Sequence, residues 1–335
     1  MRQKLHKILI TGGAGFIGSE FARQAIQNDY PVIIVDRLTY AGDQARLNKF
    51  NGRYKFYKVD ICDKKRLQGI FRKEAPDIVV HFAAETHVDR SIHQDLLPFL
   101  QTNIRGTQNL IDISRAASIK KFIHVSTDEV YGQITQGSFS EDSPLQPNNP
   151  YSATKAAADH LIRAAIRTYD FPATIVRPSN NYGYWQYPEK LIPVIIVKAL
   201  RNKKIPIYGE GENIREWLHV SDCASAILLL LDKGEAGEIY NVGGNEEQKN
   251  IYTVKKILNL MGKSTALIQF VKDRPGHDLR YSLNSKKIHH LGWRPKFSFD
   301  DGLADTVGWY IENNKWLEKK ITCLESYWKK IYQKA

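Results

Sequence analysis

The segment Thr11-Gly12-Gly13-Ala14-Gly15-Phe16-Ile17-Gly18 constrains the fold more than any other part of this chain. It follows a short apolar run, Lys7–Thr11, and opens a helix-like pattern, Gly18–Asn28. Glycines at such a turn let the chain reverse tightly and let backbone N–H groups approach a pyrophosphate at the helix N-terminus. Asp36 closes the next apolar run, where a carboxylate can bind the adenosine ribose hydroxyls and repel a 2′-phosphate. That favours NAD over NADP. Arg37 complicates the choice, because an arginine there could instead accept the phosphate.

Apolar runs then alternate with helical spacing through the first half. Lys7–Thr11, Pro31–Asp36, Tyr54–Asp60, Ile78–Ala83 and Phe122–Ser126 read as short buried strands. Gly18–Asn28, Lys64–Lys73 and Pro98–Ala117 read as helices between them. The alternation predicts an α/β fold, a Rossmann-type doubly wound parallel sheet. Ala173–Arg177 and Glu238–Val242 are further strands, the first closed by Pro178, and Leu191–Arg201 is a further helix. From Asn180 the pattern loosens into Tyr- and Pro-rich loops. A dinucleotide-binding domain of residues 1–178 and 214–245 is therefore expected. A smaller, mostly C-terminal substrate domain takes 179–213 and 246–335. Asp60-Ile61 ends the third strand and would flank the adenine, although a capping role suits Asp60 equally. Ala83-Ala84-Glu85 ends the fourth strand at the ligand edge of the sheet.

At 335 residues and 42% hydrophobic, the chain can bury a sizeable core. Cys62, Cys223 and Cys323 are odd in number and scattered, which argues against a disulfide framework or zinc knuckle and suits a reducing compartment. The basic start, Met1–Lys7, leads into an apolar run too short for a signal peptide, and no stretch is long enough to span a membrane. A cytoplasmic protein without membrane partners or bound metal is expected. The net charge of +12 is dispersed, partly into a tail carrying Lys315, Lys319, Lys320, Lys329, Lys330 and Lys334. No aromatic-basic module of a nucleic-acid binder accompanies it. It reads as a solvated surface, or as a field that draws in doubly charged nucleotides.

Two segments carry the chemistry: Ser126-Thr127-Asp128-Glu129-Val130-Tyr131-Gly132 and Tyr151-Ser152-Ala153-Thr154-Lys155. A Tyr and a Lys one helical turn apart share a face, where the ammonium can depress the phenol's pKa and make a proton acceptor for alcohol oxidation. The acid and base upstream exceed what a simple alcohol dehydrogenase needs. They match an elimination, which takes one proton and protonates a leaving hydroxyl.

With these segments in view, the chain resembles the extended short-chain dehydrogenase/reductases, and within them the dTDP-glucose 4,6-dehydratases. The likeness runs nearly end to end. It rests on Thr11–Gly18, on Asp36-Arg37-Leu38-Thr39-Tyr40-Ala41-Gly42, on His81 through Ile92, and on Ser126–Gly132 and Tyr151–Lys155. Asn180–Gly183, Pro188–Pro193, Asn213–Trp217 and Asp273–Asp278 continue it. Related epimerases usually lack the adjacent Asp-Glu, and GDP-mannose dehydratases and UDP-glucuronate decarboxylases tend to differ at the Asp. The Thr-Asp-Glu triplet is thus the discriminating feature.

The resemblance implies a nucleotide-sugar substrate and an enzyme that returns its own NAD to the oxidised state. Tyr151 would take the sugar 4-hydroxyl proton as hydride leaves C4 for the nicotinamide, with Lys155 lowering the tyrosine's pKa and Thr127 orienting the 4-oxygen. Glu129 would remove the C5 proton, Asp128 would protonate the departing C6 hydroxyl, and the hydride would return to C6. Gly12, Gly15, Phe16, Ile17, Gly18, Asp36, Leu38, Thr39, Asp60, Ile61, Ala83 and Ala84 would hold the cofactor with Tyr151 and Lys155. Asn181, Arg215 and Asn250 are implied diphosphate ligands, although solvated or capping roles remain open. Thr86, His87, Glu189, Lys190, Arg274 and His277 are implied on the substrate side. Structural roles for His87, Asp89-Arg90 and Glu189-Lys190 remain equally open. Pro206 and Tyr208 belong to Lys204–Gly209, which with Pro188–Pro193 matches the stretches enclosing thymidine. Helices Leu97–Ala117 and Ser152–Tyr169 would form a four-helix homodimer interface, unless their apolar faces serve only the core.

Tyr184-Trp185 departs from the common Pro-Tyr after Gly183 and could reshape the wall beside Asn181. Thr86 replaces a common Ser, and Cys223 and Leu279 sit where more polar residues are usual. The base remains open among dTDP, UDP and CDP. Competing readings are a UDP-sugar 4-epimerase or decarboxylase, which Asp128 opposes, and a non-catalytic dinucleotide sensor, which the retained Tyr151 and Lys155 oppose.

Overall fold

The structure, a computed structural model, describes residues 6–322 together with Leu324, Glu325 and Trp328. Met1–Leu5, Cys323, Lys329, Lys330 and Lys334 lie outside the described residues. The strands are β1 (Ile8–Thr11), β2 (Val32–Asp36), β3 (Tyr54–Lys58), β4 (Ile78–His81), β5 (Lys121–Val125), β6 (Ala173–Pro178), β7 (Asn180–Tyr182), β8 (Ile205–Tyr208), β9 (Ile214–His219), β10 (Ile239–Val242), β11 (Glu247–Lys249) and β12 (Ile268–Val271).

Seven of them form one parallel sheet in the order β10-β6-β5-β4-β1-β2-β3. Every residue of β1, β2 and β4 is buried. Continuous apolar runs are what a parallel strand needs when helices cover both faces. Ile8, Ile10 and Ile34 face the helix Phe16–Gln27 and the helix Val220–Lys233, whereas Leu9, Ile33 and Val79 face the other layer. Edge strand β3 instead exposes Lys55 and Lys58, which discourages pairing with another chain. The strand order reverses between β1 and β4, so their carboxyl ends open a crevice. There a Cβ on Gly12 would lie 2.6 Å from the Ala83 nitrogen, and Gly12 has φ of +70°. Only glycine fits that turn.

The doubly wound sheet is as expected, and all seven expected strands are present, displaced by one or two residues at their ends. The expected Pro98–Ala117 helix runs from Leu97 to Ala116, but Leu100–Gly106 is wound more widely, as a π-helix. Asn103 from that stretch donates to the Glu85 carbonyl at 3.0 Å and to Thr154 Oγ1 at 2.9 Å, joining the end of β4 to the next helix. That helix, Pro150–Tyr169, starts sharply: Asn149 Oδ1 accepts the Ser152 N–H at 2.9 Å and Pro150 occupies the first turn. Inside it, Asp159 accepts from Arg177 Nε at 2.9 Å, and Arg177 donates to Tyr131 Oη at 2.7 Å, fully buried.

After β6 the loosened pattern resolves into two small sheets, β11-β9-β7 and β12-β8. Strands of three to six residues with mixed polarity give no periodicity to read. A separate core forms there, from Ile192–Val197 on the helix Leu191–Leu200, Ile205 and Ile207, Val254 and Ile257, and Leu303 and Tyr310. The small sheets and this core thus make a smaller second body against the ligand edge of the sheet, whereas the helix Val220–Lys233 and β10 pack with the large sheet.

Candidate active site

A cleft of about 420 Å³ lies between the sheet's ligand edge and the smaller body. At one end the helix Phe16–Gln27 begins at Gly15 with no side-chain cap, which leaves its first-turn N–H groups for a ligand. Asp36 lines this end, its carboxylate accepting the N–H groups of Ala14 at 3.0 Å and Leu38 at 2.7 Å. Burial raises its pKa, and those two bonds act against that rise. The expected cofactor residues all line the cleft except Leu38. Leu38 sits at φ of +56° and donates its backbone N–H to Asp36. Asp60 lines the cleft and its Oδ1 accepts the Cys62 N–H at 2.8 Å, while the cap of the following helix is Asp63. Arg37 is bound to Asp60 at 3.0 Å and to Glu85.

The reaction end is built by the turn after β5 and the first turn of the helix Pro150–Tyr169. Thr127 Oγ1 accepts the Glu129 N–H at 3.3 Å and donates to Asp128 Oδ1 at 3.1 Å. Asp128 is 1% exposed, and its Oδ2 has no hydrogen-bond partner among the described residues. Burial, then the charges of Glu129 and Glu216, holds its carboxyl well above the usual range. Asp128 therefore keeps a proton near neutrality and can donate it. Glu129 Oε2 accepts from Asn149 Nδ2 at 3.3 Å.

Tyr151 is buried beside these carboxyls, and the expectation about its pKa is corrected. Burial first, and the Glu129 charge second, push the phenol well above its ordinary value, with the Thr127 hydroxyl acting the other way. Lys155 Nζ instead donates to the Val125 carbonyl at 2.8 Å. A lysine one turn along does not overcome the loss of water around the phenol. Burial lowers Lys155 itself to about 8, with Asp159 opposing the shift. The ammonium is charged below that pH and neutral above it. Turnover is accordingly expected to fall as pH rises through about 8, a limb that a pH–rate profile of Lys155→Arg should lack.

Every substrate residue expected from the sequence also lines the cleft. Asn181 Oδ1 and Asn250 Oδ1 are buried without hydrogen-bond partners among the described residues. Arg215 donates to the carbonyls of Ile214 at 2.8 Å and Asp278 at 2.9 Å and stands 4.4 Å above the Tyr281 ring, leaving its charge for an anionic ligand. The next group also makes contacts within the protein. Glu189 accepts from Tyr40 Oη at 2.9 Å and Arg90 Nε at 3.0 Å, His87 Nε2 lies 3.1 Å from its carbonyl, and Lys190 Nζ donates to the Thr86 carbonyl at 2.8 Å. Asp89 pairs with Arg274 at 2.7 Å, and Tyr208 Oη donates to Asp89 at 3.3 Å. His277 lies 2.6 Å from Asp273, yet burial drops it to about 4, a neutral ring at physiological pH. These contacts tie the loop after β4 to the smaller body.

Tyr184 and Trp185 do not line the cleft. They turn outward, Tyr184 against His219 at 5.0 Å and Trp185 between Trp309 and Trp316 at 4.8 and 5.1 Å. Sequence reasoning missed Glu216, 2% exposed and held by the N–H groups of Asn245 at 3.0 Å and Leu283 at 2.8 Å. It lies within Asn213–Trp217, but nothing local marks it as acting on Asp128. Asn149 was also missed, although Asn149-Pro150 before a helical run is a readable start signal. Among the described residues there is no cluster of His, Cys, Asp or Glu fit to hold a metal, and no helix long and apolar enough to cross a membrane.

Residues 9–306 match the family described as GDP-mannose 4,6 dehydratase. The dTDP-glucose 4,6-dehydratase of Haemophilus influenzae is 46% identical, covering 92% of this chain and 98% of its own. A low-salt glycan biosynthesis protein of Haloferax volcanii is also 46% identical, over 92% of this chain and 99% of its own. Among solved structures, the dTDP-glucose 4,6-dehydratase DesIV of Streptomyces venezuelae, with NAD bound, is 47% identical with a TM-score of 0.90, covering 92% of this chain and 98% of its own. The site residues, the fold and these likenesses agree: the chain belongs to the dTDP-glucose 4,6-dehydratase family of extended short-chain dehydrogenase/reductases.

Proposed function

We propose that this protein converts dTDP-glucose to dTDP-4-keto-6-deoxyglucose and water, with NAD as a resident cofactor. The observation that carries the reading is Asp128, buried and kept protonated directly beside Glu129. An epimerase has no need for that pair. The cleft fits a dinucleotide through the uncapped helix start at Gly15, the Gly12 turn and the Asp36 carboxylate. Held there, NAD would supply a hydride acceptor for C4 oxidation and the hydride that C6 later receives.

The chain's residues handle the protons. Tyr151, as the phenolate formed once substrate and the cationic oxidised nicotinamide are bound, takes the 4-hydroxyl proton; Thr127 orients the 4-oxygen, and the Lys155 ammonium favours that phenolate. Once C4 is a ketone, the C5 proton is acidic because the carbanion delocalises into the carbonyl. Glu129 takes it, and Asp128 gives its own proton to the C6 hydroxyl, which leaves as water. Glu129 later returns a proton to C5. Over the cycle the 4-hydroxyl proton makes good the one that Asp128 lost. Glu189, Lys190 and His87 shape the sugar end, while Arg215, Asn181 and Asn250 face the diphosphate.

The base assignment rests on the Pro206–Tyr208 wall and on Arg274 and His277, which line the same cleft. An apolar wall discriminates one methyl by only about 10–200-fold. Comparing kcat/KM for dTDP-glucose and UDP-glucose should therefore show a graded dTDP preference, and a UDP preference would overturn the assignment.

Three further parts of the reading are proposals. Residues 1–178 and 214–245 form the dinucleotide-binding domain, and 179–213 with 246–335 the nucleotide-sugar domain. Pairing of β10 with β6 supports this division, as does the separate core after β6. The protein works in the cytoplasm, in keeping with free Cys62 and Cys223. It forms a homodimer through the helices Leu97–Ala116 and Pro150–Tyr169. Leu97 and Leu100, three residues apart, are 51% and 41% exposed on that surface, an arrangement that suits a partner helix. Light scattering is expected to give a dimer for the natural chain and a monomer for Leu100→Glu.

A further inference from the structure

Arg37 stands one residue beyond Asp36, at the carboxyl end of β2, where a guanidinium could meet a phosphate on the adenosine 2′-oxygen. It is already engaged. Nη1 donates to Asp60 Oδ2 at 3.0 Å and Nη2 donates to Glu85 Oε1. Asp60 follows β3 and Glu85 follows β4, so the clasp spans three strand ends, and all three residues line the cleft. Glu85 is itself fixed: its N–H donates to Asn103 Oδ1 at 2.9 Å, and its carbonyl accepts from Asn103 Nδ2 at 3.0 Å. Arg46, another guanidinium lining this end, donates among the described residues only to the carbonyls of Ala14, Ala41 and Trp185.

We propose that Glu85 is a cofactor-specificity residue, acting by holding Arg37 in the clasp so that the site rejects a 2′-phosphorylated dinucleotide. A phosphate entering here meets Asp36, Asp60 and Glu85 around a guanidinium that two charge-assisted bonds, one from each terminal nitrogen, already hold to carboxylates. Breaking those bonds offsets what the phosphate would gain. This inference rests on the NAD reading above, and extends it from Asp36, which repels the phosphate, to the cation that would otherwise attract it.

The test is equilibrium binding of NAD and of NADP to cofactor-stripped protein, for the natural chain, Glu85→Gln, Asp60→Asn, Arg37→Met and the Glu85→Gln/Arg37→Met pair. Glu85→Gln is expected to tighten NADP about tenfold, since it releases one charge-assisted bond, while NAD stays the preferred ligand because Asp36 remains. Asp60→Asn should move NADP in the same direction. In the Glu85→Gln/Arg37→Met pair the gain should vanish, because the freed guanidinium is what binds the phosphate. Unchanged NADP affinity in both Glu85→Gln and Asp60→Asn would overturn the proposal. A gain that survives Arg37→Met would overturn it too, assigning the exclusion to carboxylate charge alone. If the natural chain does not prefer NAD, the cofactor reading itself falls, an outcome separate from the other two.

Discussion

Tyr151→Phe is expected to lower turnover about 10²–10⁴-fold by removing the group that takes the 4-hydroxyl proton. No transient reduced nicotinamide should appear in a single turnover, because the loss precedes every later step. The phenol's surroundings make this substitution informative. Burial and the Glu129 charge both favour the neutral phenol, so the phenolate that accepts the proton forms only with substrate and cofactor in place. Phe keeps the ring's packing against Val88 and Phe99, which protects the fold while the oxygen is lost. Stopped-flow absorbance checks it, and a normal burst of reduced nicotinamide would show that another group is the base.

Glu129→Gln should divide the reaction rather than abolish it. Oxidation at C4 can proceed, since Tyr151 and Thr127 are untouched, but removal of the C5 proton cannot. Loss of a positioned base is again worth about 10²–10⁴-fold, now in the elimination alone. The variant should accumulate reduced nicotinamide with the 4-ketone and should lose exchange of the C5 proton with deuterated solvent. Asn149, which donates to Glu129 Oε2 at 3.3 Å, can still meet the Gln carbonyl oxygen, so the turn should keep its shape. Ordinary C5 exchange in this variant would assign the base elsewhere.

The sheet was legible because its strands are buried on both faces: Ile8-Leu9-Ile10 or Ile78-Val79-Val80 leave no polar alternative. The cofactor turn was legible because Gly12 and Gly18 answer local steric demands, a Cβ on Gly18 lying 2.3 Å from the Gly12 oxygen. The small sheets were not legible, since β11 is Glu247-Gln248-Lys249 and its partner β9 comes from a distant part of the chain. Site residues on local motifs, such as Thr127 to Glu129, could be named directly. Their protonation could not. Spacing put Lys155 beside Tyr151, but only the fold reveals that its ammonium turns to the Val125 carbonyl and that the phenol is desolvated. The part played by Glu216 was likewise invisible, because its influence on Asp128 crosses from β9 to the turn after β5.

The central claim is an internal redox cycle wrapped around an elimination. It is tested most directly by incubating the purified protein with dTDP-glucose in deuterated water, without added NAD beyond what the protein retains or a catalytic supplement. The expected result is many turnovers to dTDP-4-keto-6-deoxyglucose, deuterium at C5 of the product, and no net build-up of NADH. Stoichiometric NADH with a 4-keto sugar that keeps its C6 hydroxyl would contradict it, leaving a simple alcohol dehydrogenase in which Asp128 and Glu129 have no part.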